Sequence, residues 1–177
     1  KKNSANLLAG RANFYHLHPL SYRELGDKLD ILEHLQWGGL PHMLELKTDR
    51  EKKSYLKSYI HTYFSEEIRA EQIVRRLEPF RAFLPILGQV SGKIINHKRV
   101  ADEVGVSVLT VQNYFQIIED TLMGFYLPAF HLSVRKSQRQ NPKFYLVDTG
   151  IKKALEESLD QLVSTRTSVY GELFETF

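Results

Sequence analysis

Residues 96–122, NHKRVADEVGVSVLTVQNYFQIIEDTL, carry the pattern that decides the fold. Asn96 is a favourable N-cap for a helix over about 97–104, and Gly105 follows where that helix needs a left-handed residue to end. Ser107 can cap a second helix. The apolar residues of that helix recur on one predicted buried face: Val111, Phe115, Ile118 and Leu122. Two helices joined by a short glycine-containing turn predict a helix-turn-helix.

A helix before this segment and two strands after it complete the prediction. Apolar residues over 80–90 recur at helical spacing, so we expect a supporting helix there, kinked or restarted at Pro85. Aromatic-rich runs at 124–130 and 143–147 predict two strands. Residues 131–143 contain four Lys or Arg and no acid, as a basic wing loop would. The whole region therefore predicts a winged helix-turn-helix with a small β-hairpin wing.

The second helix is expected to expose polar side chains that suit DNA, but it has no basic residue over 107–121. Gln and Asn amides pair with adenine edges, and Ser and Thr hydroxyls hold phosphates. Leu109 and Gln116 share that exposed face. Phosphate neutralisation must come from the first helix and the wing, since DNA affinity depends on it. The candidate DNA-contacting residues lie on both helices and in the wing loop: Lys98, Arg99, Ser107, Thr110, Gln112, Asn113, Arg135, Lys136 and Arg139. The alternative is a winged helix that packs against its own protein or a partner, and the residues alone leave both open.

The first half of the chain is predicted to be mostly helical. Ser21 with Glu24, and Thr48 with Glu51, have the spacing of capping boxes. The second box opens the longest apolar stripe in this half: Leu56, Tyr59, Ile60, Tyr63, Phe64 and Ile68. A helical region therefore precedes the winged helix.

Composition excludes several classes of protein. With 42% hydrophobic and 25% charged residues in 177, the chain has an ordinary globular composition. It contains no cysteine, so disulfides are excluded, and no apolar run approaches a membrane span. A cytoplasmic location without membrane contact is expected. The net charge of +3 is too small to indicate nucleic acid by itself.

No residue pattern marks catalysis or a metal site. Residues 88–93, GQVSGK, are one residue short of a phosphate-binding loop, and Gly92 is better interpreted as a helix C-cap. His16 and His18 have no third ligand near them in sequence. We therefore predict no catalytic residue and no metal ligand.

Several short segments occur in a specific order along the chain: ANLLAGR (5–11), LHPLSYREL (17–25), WGGLP (37–41), residues 59–68, IEDTL (118–122), PKFYLVDTG (142–150) and GELFE (171–175). In this order they resemble a bacterial and archaeal family of AAA-type ATPases that carry a C-terminal domain of unknown function. That domain is similar to PD-(D/E)XK nuclease-like folds.

The resemblance implies that a Walker A loop and a Walker B acid precede the matching region. ATP and Mg are therefore expected for a longer parent, which would be the ATPase, and no cofactor is expected for this inactive segment. Arg11 would be a candidate arginine finger or sensor for nucleotide. Residues 14–18 would be the last strand of the ATPase core. Glu172 falls where the first acid of a nuclease site might stand, although the other acids of such a site are not in the sequence.

The overall expectation is a mostly α, α+β chain, with a helical lid followed by the winged helix. Lys1 is not an initiator Met, and the last residues keep helical spacing, which together predict an internal segment of a larger protein. Four parts are predicted. An ATPase-core remnant with the start of the lid spans 1–47, and a lid helix spans 48–78. The winged helix spans 79–148, and the truncated start of a nuclease-like domain spans 149–177. The expected partners are DNA, the rest of the ATPase domain and a second copy of the chain.

Overall fold

A computed structural model of the chain describes residues 17–63, 68, 77–130 and 141–177. In these ranges the helices are α1 (Tyr22–Leu25), α2 (Ile31–Trp37), α3 (Asp49–Thr62), α4 (Leu77–Val90), α5 (His97–Val104), α6 (Val108–Asp120), α7 (Thr149–Leu155) and α8 (Ser168–Thr176). Short 3-10 turns span Gly26–Lys28 and Pro41–Leu44, and the strands are β1 (Gly124–Leu127) and β2 (Lys143–Leu146). The mostly helical α+β class is confirmed.

Helices α4, α5 and α6, followed by the hairpin of β1 and β2, form the winged helix. The strands pair antiparallel, with Phe125 opposite Tyr145. The Asn96 side chain caps α5 by accepting the Arg99 backbone N–H at 3.0 Å. Gly105 ends that helix at a φ of 75°, a conformation that favours glycine. The Ser107 hydroxyl caps α6 by accepting the Thr110 N–H at 3.1 Å, so local capping chemistry fixes both helix starts as predicted.

An aromatic cluster around Phe115 forms the centre of this unit. Phe115 is fully buried, and its ring lies 5.1 Å from the ring of Phe83 on α4 and 5.4 Å from that of His97 on α5. It also lies 5.8 Å from the ring of Tyr126 on β1 and 4.9 Å from that of Phe144 on β2. Most of these pairs are edge-on or tilted, the arrangement that aromatic quadrupoles favour. One side chain of α6 therefore joins the other four elements.

One expectation about a helix end was wrong. Leu122 does not belong to the buried face of α6, because the helix ends at Asp120 and Leu122 is 44% exposed with a φ of 59°. The Thr121 hydroxyl bonds back to the Ile117 carbonyl, the chain turns, and Met123 becomes the buried residue. Of the two alternatives predicted for Pro85, the restart does not occur, because helix α4 runs through Pro85 from Leu77 to Val90; the kink stays a prediction.

The remaining helices share the apolar core of the winged helix. Trp37 of α2, Leu56 of α3 and Ile151 of α7 are buried in the same cluster as Leu87 of α4. Both predicted capping boxes, at the starts of α1 and α3, are present. The predicted boundary between residues 148 and 149 falls inside this shared core. The domain limits themselves stay a prediction.

The buried carboxylate of Asp148 ties the two halves of the chain together. It accepts the Gly39 N–H at 2.6 Å and caps α7 by accepting the Ile151 N–H at 2.9 Å. Burial raises the pKa of Asp148, although the backbone donors around it oppose that effect. A Cβ on Gly38, whose φ is 83°, would lie 2.1 Å from the Asp148 Oδ1. The glycine at 38 therefore lets the turn approach the carboxylate.

The predicted strand at 14–18 lies mostly outside the described residues, and Leu17 and His18 belong to no regular element. Residues 69–76, expected to continue the lid helix, are also outside them, whereas Ile68 is buried as its stripe predicted. Among the helices that the structure describes, none is long and apolar enough to cross a membrane.

We expect Phe115→Ala to lower the free energy of unfolding by about 3–5 kcal/mol, because it leaves a cavity where four elements meet. Urea denaturation followed by circular dichroism measures this change. Gln112→Ala is the matched control on the same helix: its side chain is exposed, so its effect should stay within about 0.5 kcal/mol. Equal effects of the two substitutions would contradict the assigned buried face.

Candidate nucleic-acid interface

The side of α6 opposite Phe115 carries a continuous exposed stripe. Its members stand at i, i+3, i+4 and i+7, so they share one helical face: Leu109, Gln112, Asn113 and Gln116. We call these four residues the outer stripe. Leu109 is 67% exposed, and no described element covers the stripe. The structure thus places Gln112 and Asn113 on the predicted exposed face, because Val111, Phe115 and Ile118 occupy the buried one.

The two hydroxyl candidates at the start of α6 differ in accessibility. Ser107 is exposed, but Thr110 is half-buried, so the expectation that Thr110 is fully exposed was wrong. The two hydroxyl oxygens lie 2.8 Å apart and share a hydrogen bond. Ser107 is therefore the hydroxyl of this pair that faces solvent.

Helix α5 brings two exposed cations to the same unit, Lys98 and Arg99. The Arg99 Nε donates to the Glu103 Oε1 at 2.9 Å, one turn along the helix. Both side chains are substantially exposed, and exposed ion pairs contribute little free energy. Arg99 can therefore exchange Glu103 for a phosphate oxygen at small cost.

Other cations of the winged helix are paired with acids of α8. The Lys93 Nζ lies 3.5 Å from the Glu172 Oε2, and the Lys143 Nζ pairs with Glu175. The Tyr145 hydroxyl also donates to Glu175, at 2.8 Å. The hydrogen bonds from Lys143 and Tyr145 lower the pKa of Glu175. Glu172 and Glu175 thus hold α8 against the hairpin.

A hydrogen-bonded chain joins the hairpin to both helices of the helix-turn-helix. The His97 Nε2 lies 2.8 Å from the Tyr126 hydroxyl oxygen, and the Tyr126 backbone N–H donates to the Glu119 Oε1 at 3.1 Å. Burial lowers the pKa of His97, while burial and the Glu119 charge raise the pKa of Tyr126. Sequence reasoning missed this chain, because no spacing rule connects residues 97 and 126.

The remaining residues predicted from the sequence to form nucleotide, DNA or metal sites are located as follows. Arg11, Arg135, Lys136 and Arg139 lie outside the described residues. Gly92 has a φ of 83°, and its N–H donates to the Phe144 carbonyl at 2.7 Å, as expected of a turn after α4. Within the described ranges, no three His, Asp or Glu side chains come together as metal ligands would.

We expect the stability of the winged helix to fall as the pH drops below the ordinary histidine pKa of about 6.5. The pKa of His97 is lowered in the folded chain, so the unfolded chain binds more protons there and the free energy of unfolding decreases on acidification. His97→Gln removes this contribution, so its pH dependence over pH 5–7.5 should be shallower than that of the wild type. Urea titrations at several pH values measure both slopes. Parallel curves would contradict the role of His97.

One comparison with known proteins, a match to a family model, places the chain in a family. Uncharacterized proteins of Mycobacterium tuberculosis and Mycobacterium bovis are each 25% identical to it over 170 residues, covering 96% of this chain. The chain spans only 38% of the length of these relatives. No solved structure matches it. The family described as a domain of unknown function, DUF8612, matches residues 28–162. Because this match includes both the helical half and the winged helix, the chain belongs to the DUF8612 family.

Proposed function

We propose that this chain is the DNA-contacting regulatory segment of an AAA-type ATPase, with α6 as its recognition helix. The observation that carries the proposal is the uncovered outer stripe of α6. The opposite face of α6 and the buried face of α4 are both occupied by the core. Among the residues that the structure describes, none covers the outer stripe, so it is open to a partner.

The shape and chemistry of this surface suit the major groove. That groove admits an α-helix, and its base edges present donors and acceptors to amide side chains. Gln112 and Asn113 offer both a donor and an acceptor. Lys98, Arg99 and Ser107 are exposed on the same unit and can contact phosphates.

The positive charge available to this surface is small, which bears on the strength of binding. Each neutralised phosphate adds to affinity through counterion release. Helix α6 has no Lys or Arg, Arg99 is shared with Glu103, and the pairs with α8 engage Lys93 and Lys143. Beside the exposed Lys98, most of the electrostatic affinity must therefore come from Arg135, Lys136 and Arg139 of the wing loop.

The ATPase part of the proposal is supported by the order of the motifs from ANLLAGR to GELFE and by relatives longer than this chain. In the loop nearest to a phosphate-binding pattern, the Gly92 N–H donates to the Phe144 carbonyl and is not available to a phosphate. ATP and Mg would be bound by another part of the protein, which Arg11 could complete.

A second candidate is a packing or oligomerisation module. Exposed apolar side chains on and beside the hairpin favour it: Ile94, Phe125 and Leu127 are 64%, 47% and 50% exposed. Apolar surface of this kind is typical of protein interfaces. In that function the winged helix would meet a partner or a second copy instead of DNA.

Replacing Arg135, Lys136 and Arg139 together with Ala should weaken binding to all duplexes uniformly and reduce the salt slope by about one counterion per lost phosphate contact. Fluorescence anisotropy over a salt series measures affinity and slope together. The triple variant Lys28→Ala, Arg50→Ala, Lys57→Ala is the matched control, since it removes the same charge from exposed positions outside the winged helix. Equal losses for both variants would contradict a specific wing contact. Absence of binding at low salt would favour the packing module.

In the full-length protein, Arg11→Ala should lower the kcat of ATP hydrolysis by on the order of a thousandfold if Arg11 acts as a finger. Arg50→Ala, at an exposed position of α3, is the control and should leave kcat unchanged. The 177-residue chain alone should release no phosphate above a protein-free blank. Phosphate release by this chain, abolished by Arg11→Ala, would contradict the assignment of the nucleotide site to the rest of the protein.

A further inference from the structure

We infer that the outer stripe selects A·T base pairs in the major groove. This inference rests on the proposed DNA contact and adds the class of sequence that α6 recognises. It follows from which base-reading side chains the stripe presents and which it lacks.

The outer stripe has no side chain for reading a G·C pair. Guanine is read mainly by Arg or Lys, which donate to its O6 and N7, and α6 contains neither. Cytosine is read by an acid that accepts from its N4 amine. The acids of α6 are both engaged: Glu119 accepts the Tyr126 N–H at 3.1 Å, and Asp120 accepts from the Gln116 Nε2 at 2.9 Å.

The two free amides of the stripe match adenine. An Asn or Gln side chain donates to N7 and accepts from the N6 amine of the same base. In the described part of the chain, Gln112 and Asn113 are exposed and take part in no side-chain hydrogen bond, unlike Gln116. These two side chains can therefore contact a base edge without breaking an existing bond.

The apolar end of the stripe matches thymine, the base with a methyl group in the major groove. Leu109 is 67% exposed, and its neighbour Val108 is 40% exposed. Leu109 and Asn113 are one turn apart, about 6 Å along the helix axis. Over so short a distance, the methyl contact and the amide contact can fall on neighbouring base pairs of one short A·T run.

The test compares binding of the 177-residue chain to duplexes of equal length at one low salt concentration. An A·T-rich duplex should bind on the order of tenfold more tightly than a G·C-rich duplex. Replacing thymine with uracil removes only the methyl group and should weaken binding about fourfold per contacted methyl. Leu109→Ala should make the chain insensitive to that replacement. The variant Gln112→Ala, Asn113→Ala should instead lose sensitivity to 7-deazaadenine, which lacks the N7 acceptor.

A duplex of inosine–cytosine pairs separates recognition in the major groove from recognition in the minor groove. It has the minor groove of A·T pairs and the major groove of G·C pairs, so it should bind as weakly as the G·C-rich duplex. Retained tight binding to it, or equal binding to all sequences, would overturn the A·T inference and leave the DNA contact standing. No binding to any duplex would overturn the DNA contact, and the inference with it.

Discussion

Four elements of the winged helix meet on one side chain, the ring of Phe115. Its neighbours come from α4, α5, β1 and β2. Removing the ring would therefore destabilise the helix-turn-helix and the hairpin together. The same contact fixes the rotation of α6 about its axis. Because Phe115 points inward, the outer stripe must point outward. The direction of the candidate interface is thus a consequence of core packing.

Two polar contacts extend this unit to the rest of the chain. Asp148 joins the turn after α2 to the start of α7, and the Lys152 Nζ of α7 donates to the Gly88 carbonyl of α4 at 2.9 Å. Buried groups of this kind are costly to leave without a partner, so they resist separation of the elements they join. These contacts would therefore transmit a displacement of α2 to α7, and from α7 to the supporting helix α4.

Local chemistry made the helix-turn-helix predictable. Asn96, Gly105 and Ser107 act through residues three or four positions away, so spacing alone located both helices and the exposed amides. Long-range contacts were not accessible in this way: Asp148 and Gly39 are 109 residues apart in sequence. Leu122 continued the periodic pattern, yet the chain had already turned at Thr121, which periodicity does not record. The pair of Arg99 with Glu103 follows the i, i+4 rule and could have been found from the sequence.

The two candidate functions make different demands on the middle of the outer stripe. A protein partner that covered Gln112 and Asn113 would have to satisfy every donor and acceptor of both amides, because burying them unpaired costs free energy. An apolar interface would place apolar side chains there, as at the exposed hairpin residues Phe125 and Leu127. Base edges in the major groove already present the matching pairs of donors and acceptors. The two amides in the middle of the outer stripe therefore favour DNA at α6, even if a protein partner covers the hairpin.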